Sequence, residues 1–253
     1  MKSNNFVTMA MAAVTLLGAG GTLSAAQLGD RIESSAKKSY VFVTFLKDDA
    51  ITVKATNEGA VTLTGTITEW SHRSLAEETV LGLPGVVSVD NKLDMSGTKP
   101  EENSDAWIGV KVKTMLLFHK NVSGLKTDVD VKDGVVTLRG PASSDAQKDL
   151  TGEYVKDIDG VKSVKNDMTV EKTEKSTMEK VGGYIDDASI TAQVKMALLF
   201  HRSTSALTTK VETKNGVVTV RGIAKNDAEK ELVSKLVTNI KGVKSVKNKI
   251  TVG

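Results

Sequence analysis

From residue 27 onward, apolar residues recur first at the spacing of a helix and then at the two-residue spacing of strands. In the central part of the chain the first pattern predicts an amphipathic helix that begins near Ser104 or Asp105. The buried face of this helix is expected to hold Ile108, Val112, Met115, Leu116 and His119. Two alternating runs follow, and Asp133-Gly134 between them is typical of a tight β-hairpin turn.

A second helix and a last strand complete this unit. Apolar residues recur every fourth position from Ala146 to Ile158, and Gly160 is expected to end the helix, with Val161 packing back onto it. The inner face of the last strand is expected to hold Val164, Met168 and Val170. The order αββαβ predicts an α+β fold in which two helices form one layer on a three-stranded mixed sheet.

The same unit occurs three times. Residues 134–140 and 160–166 recur as 216–222 and 242–248, so the second and third copies align at a constant offset of 82. A more divergent first copy lies 75 or 76 residues upstream of the second, which places one extra residue in its turn at residues 56–59. The sequence therefore predicts three tandem small αββαβ domains.

The predicted domains are residues 27–96, 105–170 and 186–253. The segments between them, 97–104 and 171–185, are polar and are predicted to be linkers. Each domain is small enough to bury only a modest core. Packing between domains and a string of independent domains are both compatible with these linkers.

Residues 1–26 have the layout of a secretory signal peptide. Lys2 precedes an uncharged, mostly apolar run from Phe6 to Leu17, and small residues around Ala26 suit cleavage. The alternative is an uncleaved anchor, although the run is shorter than the ~18 apolar residues of a spanning helix. We expect cleavage near Ala26, a periplasmic location and a mature chain without a transmembrane segment.

Composition excludes several chemistries. The chain has no Cys, which excludes disulfides, thiol nucleophiles and zinc–thiolate sites, and it has only three His. His119 and His201 occupy equivalent positions, but each is expected to interact with the end of its helix rather than to bind a metal. Phosphate-binding glycine loops and hydrolase motifs are absent from the sequence. We expect no enzyme activity, no catalytic or metal-binding residues and no cofactor.

Charge is distributed unevenly among the domains. Lys and Arg minus Asp and Glu give −3 for residues 27–96, 0 for residues 105–170 and +6 for residues 186–253. Alternation along the last strand predicts that Lys247 and Lys249 are exposed. The candidate anionic-lipid site is Lys241, Lys244, Lys247 and Lys249. Each cation near an anionic membrane contributes about 1 kcal/mol to binding. The alternative is that these lysines form an ordinary solvated surface without a ligand.

Three apolar residues lie off the main stripe of the second domain's first helix. Trp107, Val110 and Leu117 form a candidate apolar contact surface, where the third domain has Ser189, Ala192 and Leu199. A contact with another domain or a partner protein is the favoured interpretation. Ordinary packing and a membrane interface are the alternatives.

The repeated pattern resembles the BON domain. The resemblance rests on the hairpin 134–140, on "G-V-x-x-V-x-N" at 160–166, and on their counterparts at 216–222 and 242–248. The resemblance covers nearly all of residues 28–252. The chain as a whole is similar to the group of osmotically inducible periplasmic proteins, whose members commonly carry two such units. The resemblance implies the αββαβ fold, no catalysis, binding of anionic phospholipid, and roles in envelope integrity and osmotic stress.

Two hypotheses about function follow. The first is a non-enzymatic, osmoprotective envelope protein whose basic third domain binds an anionic phospholipid surface peripherally. The alternative is a chaperone-like or partner-binding adaptor for envelope proteins, acting through exposed apolar surface. Nucleic acid is not an expected partner because the chain is exported. A polysaccharide site is disfavoured because aromatic residues make up only 4% of the chain.

Overall fold

The computed structural model describes residues 28–95, 97–171, 184–204 and 209–253. Within them the chain forms three αββαβ units, which confirms the predicted α+β class. We call these units domains 1, 2 and 3. The predicted signal peptide at residues 1–26 and most of the second predicted linker lie outside the described residues.

Domain 1 has one divided helix before its hairpin. Its elements are α1 Leu28–Lys38, α2 Tyr40–Thr44, β1 Ala50–Ala55, β2 Ala60–Ile67, α3 Trp70–Leu81 and β3 Ser88–Met95. The break between α1 and α2 falls at Ser39, whose hydroxyl accepts the Phe42 N–H and so caps α2. The middle strand β2 pairs antiparallel with β1 and parallel with β3, which gives the expected mixed sheet.

Domain 2 and domain 3 follow the same order. Domain 2 consists of α4 Asp105–Phe118, β4 Asp128–Lys132, β5 Val135–Arg139, β6 Pro141–Ala142, α5 Asp145–Lys156, β7 Ser163–Asn166 and β8 Thr169–Val170. Domain 3 consists of α6 Asp187–Phe200, β9 Lys210–Lys214, β10 Val217–Ala224, α7 Asp227–Thr238 and β11 Ser245–Val252. The short pairs β5–β6 and β7–β8 of domain 2 correspond to the continuous strands β10 and β11, so the two sheets share one topology.

The hairpin turns agree with the sequence patterns. Asp133 and Gly134 have φ of 53° and 79°, and Asn215 and Gly216 have φ of 53° and 78°, as a type I′ turn requires. In domain 1 the Thr56 N–H donates to the Ala60 carbonyl across a three-residue loop. The extra residue of the first copy therefore lies in this turn, as predicted.

An asparagine in the last strand of each domain ties the sheet to the second helix. The side-chain amide of Asn166 donates to the Lys148 carbonyl on α5, while its oxygen accepts the Met168 N–H. Asn91 and Asn248 make the equivalent bonds in domains 1 and 3. The Asn of the repeated motif thus fixes the position of the second helix over the sheet.

The second helix of domain 2 is shorter than its spacing predicts. It ends at Lys156, so Ile158 lies beyond the helix, where its backbone pairs with that of His201 in domain 3. Ala146 is exposed, and the buried residues of α5 are Thr151, Gly152 and Val155. The prediction of one regular helix up to Gly160 was wrong, because the helix ends at Lys156 and the following residues form a turn, as after the equivalent helices α3 and α7.

The three domains pack together and are not independent units. Helix α6 packs against α3 of domain 1 and α4 of domain 2, and most of its residues are buried. The inner sheet faces cover the other sides of the helices, so each sheet has an outward face. The phenyl rings of Phe45 in domain 1 and Phe118 in domain 2 meet edge to face, with centroids 5.5 Å apart.

Domains 2 and 3 exchange equivalent backbone contacts. The Lys120 N–H donates to the Asn239 carbonyl, and the Arg202 N–H donates to the Asp157 carbonyl. The matching bonds run from the Lys241 N–H to the Phe118 carbonyl, and from the Asp159 N–H to the Phe200 carbonyl. We call this contact between residues 117–120 and 156–161 of domain 2 and residues 199–202 and 238–243 of domain 3 the reciprocal joint.

Two basic side chains reinforce the reciprocal joint. The Arg202 guanidinium donates to the carbonyls of Lys156, Ile158 and Val161, at and beyond the end of α5. Lys120 Nζ occupies the equivalent place and donates to the carbonyls of Thr238 and Val243 at 2.8 and 2.7 Å. Each domain therefore places a cation at the negative end of the other domain's second helix. The joint is nearly symmetric because equivalent residues of the two domains make equivalent contacts.

Domain 1 is attached to domain 3 through side chains. The first two N–H groups of α2, those of Tyr40 and Val41, donate to Asp186 Oδ2 and Ser189 Oγ of domain 3. The other carboxylate oxygen of Asp186 accepts the Ser189 N–H and caps α6. A single aspartate thus caps one helix in each of two domains.

Candidate functional site

The outward face of the domain 3 sheet carries a concentration of cations. Alternation in β9, β10 and β11 places Lys210, Lys214, Arg221, Lys247 and Lys249 on this side. All five side chains belong to exposed residues, which confirms the exposure expected for Lys247 and Lys249. Among the charged residues of these three strands on that side, Glu212 is the acidic one, and it pairs with Arg221 at 2.7 Å. We call this surface the basic sheet face.

The strand register aligns three cations in one row. Arg221 on the middle strand lies directly opposite Lys249 on β11 and directly opposite Lys210 on β9. Like charges directly opposite each other destabilise a sheet. The row is therefore not explained by stability, and it presents three positive charges at one level of the sheet.

Neither sibling domain has such a row. In domain 2 the equivalent positions are Asp128, Arg139 and Asp167: Asp128 lies opposite Arg139, and Asp167 follows the end of β7 and pairs with Lys165 at 2.9 Å. In domain 1 they are Thr52, Thr64 and Lys92. The fold of a BON-like unit does not require three cations here, and the basic sheet face is a property of domain 3 alone among the described domains.

One of the four predicted lysines is not available to a ligand. Lys241 is half-buried in the reciprocal joint, where its Nζ donates to the Leu117 carbonyl at 2.8 Å, and burial lowers its pKa. Lys244 is exposed beside Gly216 at the turn before β11. The sequence cluster is thus divided: Lys241 holds domains 2 and 3 together, whereas Lys247 and Lys249 belong to the basic sheet face.

Three cations of the basic sheet face were missed from the sequence. Lys210, Lys214 and Arg221 lie 26 or more positions away from Lys247 along the chain, so a search for local clusters does not join them. The Asn215-Gly216 turn fixes the pairing of β9 with β10 and could have revealed Lys210 beside Arg221. The parallel pairing of β11 has no comparable local signal.

The predicted apolar surface on α4 is only half-exposed. Trp107, Val110 and Leu117 are all partly buried, and Leu117 packs against the core near Lys241. The equivalents of Trp107 and Val110 on α6, Ser189 and Ala192, are fully buried. Domain 1 accounts for part of this difference, since Ser189 accepts the Val41 N–H.

The two equivalent histidines do not cap the ends of their own helices. Neither ring nitrogen of His119 has a hydrogen-bond partner among the described residues, and its ring stacks on Tyr154 with centroids 3.7 Å apart. His201 accepts the Ser203 N–H at Nδ1, and its Nε2 has no hydrogen-bond partner there. The expectation of capping was wrong because both rings turn into the protein, while the last carbonyls of α4 and α6, those of Phe118 and Phe200, accept the backbone N–H groups of Lys241 and Asp159.

Catalytic chemistry finds little support in the part of the chain that the structure describes. No cluster of three or more His, Asp or Glu side chains there could hold a metal ion. A cavity of about 370 Å³ lies between α3 and domain 3, but its carboxylates have structural partners. Glu78 pairs with Lys195 at 2.5 Å, and Glu77 accepts from the Asn91 amide.

Fold and surface together define a class of protein: a tandem array of small αββαβ domains, one of which presents a cationic sheet. The chain belongs to the BON domain family, because the family model matches residues 26–97, 104–172 and 186–253. No helix within the described residues is both long and apolar enough to cross a membrane.

Two similar proteins come from Escherichia coli and Anaplasma centrale. The chain is 32% identical over 162 residues to "Osmotically-inducible protein Y" of Escherichia coli (strain K12), which covers 64% of this chain and 79% of that protein. It is 33% identical over 143 residues to a protein of Anaplasma centrale described as "Uncharacterized protein in gshII 5'region", covering 56% of this chain and 90% of that one.

A comparison of structures matches the C-terminal domain of CdsD, a structural protein of the Type III secretion system of Chlamydia trachomatis. The match has 14% identity and a TM-score of 0.22, and it covers 84% of this chain and 94% of that one. A similarity at this level supports no conclusion about function.

Proposed function

We propose that this chain is a non-enzymatic, periplasmic, osmoprotective protein that binds anionic phospholipid surfaces and supports the integrity of the cell envelope. The basic sheet face of domain 3 is the binding surface in this proposal, with Lys244 at its margin. The observation that carries it is the row of Lys210, Arg221 and Lys249, in which like charges oppose each other across three strands. The similarity to Osmotically-inducible protein Y supports the osmotic and periplasmic parts of the proposal.

The geometry suits a surface better than a small ligand. The five cations are spread over the face of a sheet, with strands about 4.8 Å apart, and do not converge on a pocket. Each Lys or Arg close to an anionic leaflet contributes about 1 kcal/mol, and the attraction falls off within a Debye length. Binding is therefore expected to be peripheral and sensitive to salt.

The sibling domain offers a matched test by exchange of charges. The variant Lys210→Asp with Lys249→Asp gives domain 3 the charges that domain 2 carries at Asp128 and Asp167. Co-flotation with vesicles of phosphatidylglycerol and phosphatidylcholine would measure binding, beside vesicles of phosphatidylcholine alone. We expect the variant to bind the anionic vesicles at least about tenfold more weakly than the unmodified chain at low salt.

Two controls change the charge of the domain 2 sheet by the same magnitude, the first with the same sign as the test variant and the second with the opposite sign. Lys132→Asp with Lys165→Asp places the same change on the sheet of domain 2 and is expected to weaken binding far less. Asp128→Lys with Asp167→Lys is expected to strengthen it, because it creates a second cationic row. Two results would show that the basic sheet face is not the docking surface. One is an equal loss of binding to anionic vesicles in the two double-lysine variants, and the other is binding of the unmodified chain to vesicles made only of phosphatidylcholine.

The proposed protective role has a separate readout. Anionic vesicles loaded with a self-quenching dye would be diluted into hypo-osmotic buffer with and without the protein. We expect the unmodified chain to reduce leakage and the Lys210→Asp, Lys249→Asp variant to lose this effect. If binding is normal but leakage is unchanged, the chain binds lipid without protecting the bilayer.

A partner-binding or chaperone-like role is the second candidate. It is favoured by the partial exposure of Trp107 and Val110 on α4, at positions that are buried on the equivalent face of α6. The variant Trp107→Ser introduces the domain 3 residue. If α4 binds unfolded envelope proteins, this variant should suppress the aggregation of a denatured outer-membrane protein less well than the unmodified chain. Equal suppression by the two chains would argue against this role.

A further inference from the structure

The reciprocal joint buries two titratable rings whose environments favour the neutral form. His119 is fully buried and His201 is 4% exposed. The His119 ring lies flat on Tyr154, with 6° between the planes, and neither nitrogen has a hydrogen-bond partner among the described residues. A proton on this ring would create a buried cation, and such a charge is costly unless it is paired and hydrogen-bonded.

The groups that face His119 add to this cost. From domain 3, Lys241 and His201 both disfavour its cationic form, and the nearby Asn239 backbone acts in the opposite direction. From domain 2 the neutral Tyr154 covers one side of the ring. The cation Lys241 is itself held in the joint by the Leu117 carbonyl.

His201 has a different set of neighbours. Asp157 Oδ2 of domain 2 lies 3.9 Å from its Nε2 and favours the charged ring, whereas Arg202 disfavours it. The Ser203 N–H donates to Nδ1, which requires that nitrogen to be unprotonated. Protonation at Nδ1 would therefore break an existing hydrogen bond in addition to adding a charge.

We propose that acidification opens the reciprocal joint, so that domains 2 and 3 separate while each domain keeps its own fold. The four backbone hydrogen bonds of the joint do not titrate, and Lys120 and Arg202 keep their charge in acid. The histidines are thus the buried groups of the joint that gain charge as the pH falls. Separation would place both rings in water, where the proton can be accommodated.

Acid favours the open joint because the two histidines bind protons more weakly when they are buried in the joint than when they are in water. Burial is the main cause that lowers the pKa of His119 from 6.5 to about 4, and burial lowers the pKa of His201 as well. The joint is fully stabilised above pH 6.5 and loses stability as the pH falls towards 4. For His119 alone, each pH unit in that range favours opening about tenfold, and the whole range favours it about 300-fold.

The absence of cysteine allows a direct test on the full mature chain. Cysteines introduced at the exposed positions Lys132 and Lys214, next to the hairpin turns of domains 2 and 3, would carry spin labels. Electron–electron double resonance would then report the distance between the domains from pH 7.5 to pH 4. We expect one narrow distribution at pH 7.5 and a broad, longer one in acid, with an unchanged far-UV circular dichroism spectrum.

Variants connect the opening to the two rings. His119→Phe with His201→Phe keeps aromatic packing but cannot gain a proton, and it should lower the pH of opening by at least one unit. Lys241→Gln keeps a donor for the Leu117 carbonyl and removes the nearby charge, so it should produce a smaller shift in the same direction. His72→Gln in domain 1 is the matched control and should leave the transition unchanged.

Three results would overturn the proposal. The first is an unchanged distance down to pH 4, and the second is an equal pH of opening in the double-Phe variant and the unmodified chain. The third is a loss of circular dichroism at the same pH as the change in distance, because this would be acid unfolding of the domains. If the double-Phe variant does not fold, the Lys241→Gln chain provides the test. A lower pH of opening in that chain supports the proposal, and an unchanged pH of opening overturns it.

Discussion

Domain 3 is joined to its two neighbours in different ways. Against domain 2 it exchanges backbone hydrogen bonds near the ends of equivalent helices, in an almost symmetric arrangement. Against domain 1 it uses side chains, chiefly Asp186, Ser189 and the ion pair of Lys195 with Glu78. Three copies of one fold in a single chain therefore do not imply three copies of one interface.

Two substitutions explain why domain 1 does not form the backbone joint. Pro84 occupies the position of Lys241 and has no N–H to donate to a neighbouring carbonyl. Val43 occupies the position of His119, but it remains inside helix α2 and is 54% exposed. The backbone joint needs an N–H donor at the position of Lys241 and an extended chain at the position of His119. Domain 1 has neither, because it has Pro84 at the first position and a helical residue, Val43, at the second.

The largest expected effect is at the aspartate that caps two helices. Asp186→Ala removes an acceptor from α2 of domain 1 and from α6 of domain 3, and each cap contributes about 0.5–2 kcal/mol. We expect a loss of about 2–3 kcal/mol in the free energy of unfolding, measured by urea denaturation. Its equivalent Ser104 caps only α4 within domain 2, so Ser104→Ala should cost about 1 kcal/mol. Equal costs would mean that the contact of Asp186 with domain 1 contributes little.

A smaller effect is expected at the cation of the backbone joint. Arg202→Ala leaves the carbonyls of Lys156, Ile158 and Val161 without their charged donor, and we expect a loss of about 2 kcal/mol. Arg221→Ala removes an exposed arginine from one surface ion pair and should cost less than about 1 kcal/mol. Chemical denaturation of both variants would check the order, and a reversed order would contradict the role given to Arg202.

The smallest effect concerns the two sheets. Lys249→Asp in domain 3 places a carboxylate opposite Arg221, at the position that Asp167 occupies in domain 2. We expect it to stabilise the chain by about 0.2–1 kcal/mol while it weakens binding to anionic vesicles. Denaturation and co-flotation on one preparation would measure both. A variant that loses stability together with binding would show that the row of cations is structural.

Much of the architecture follows from local features of the sequence. The constant offset of 82 defines domains 2 and 3 as close copies, and Asp133-Gly134 and Asn215-Gly216 define their hairpins. These features are local because a turn needs positive φ at particular positions and a helix needs apolar residues at its own spacing. The resemblance to the BON domain could be recognised for the same reason.

The candidate site could be predicted only in part. Lys247 and Lys249 were identified because they are close in sequence, whereas Lys210 and Arg221 join them only through strand pairing. Lys241 belongs to the same sequence cluster, yet the fold directs its side chain into the reciprocal joint. Proximity along the chain is a poor guide when a turn sends successive side chains to different domains.

The sequence by itself determined the repeated unit, its order of elements, its mixed sheet and the excess of positive charge in the third copy. These properties depend on residues within one unit, where spacing and turn chemistry act over a few positions. The tertiary structure alone decided that the domains pack together, that the backbone of Ile158 pairs with that of His201, and that His119 is buried. Those outcomes depend on contacts between distant residues, and no periodicity records which surface of one copy meets which surface of another.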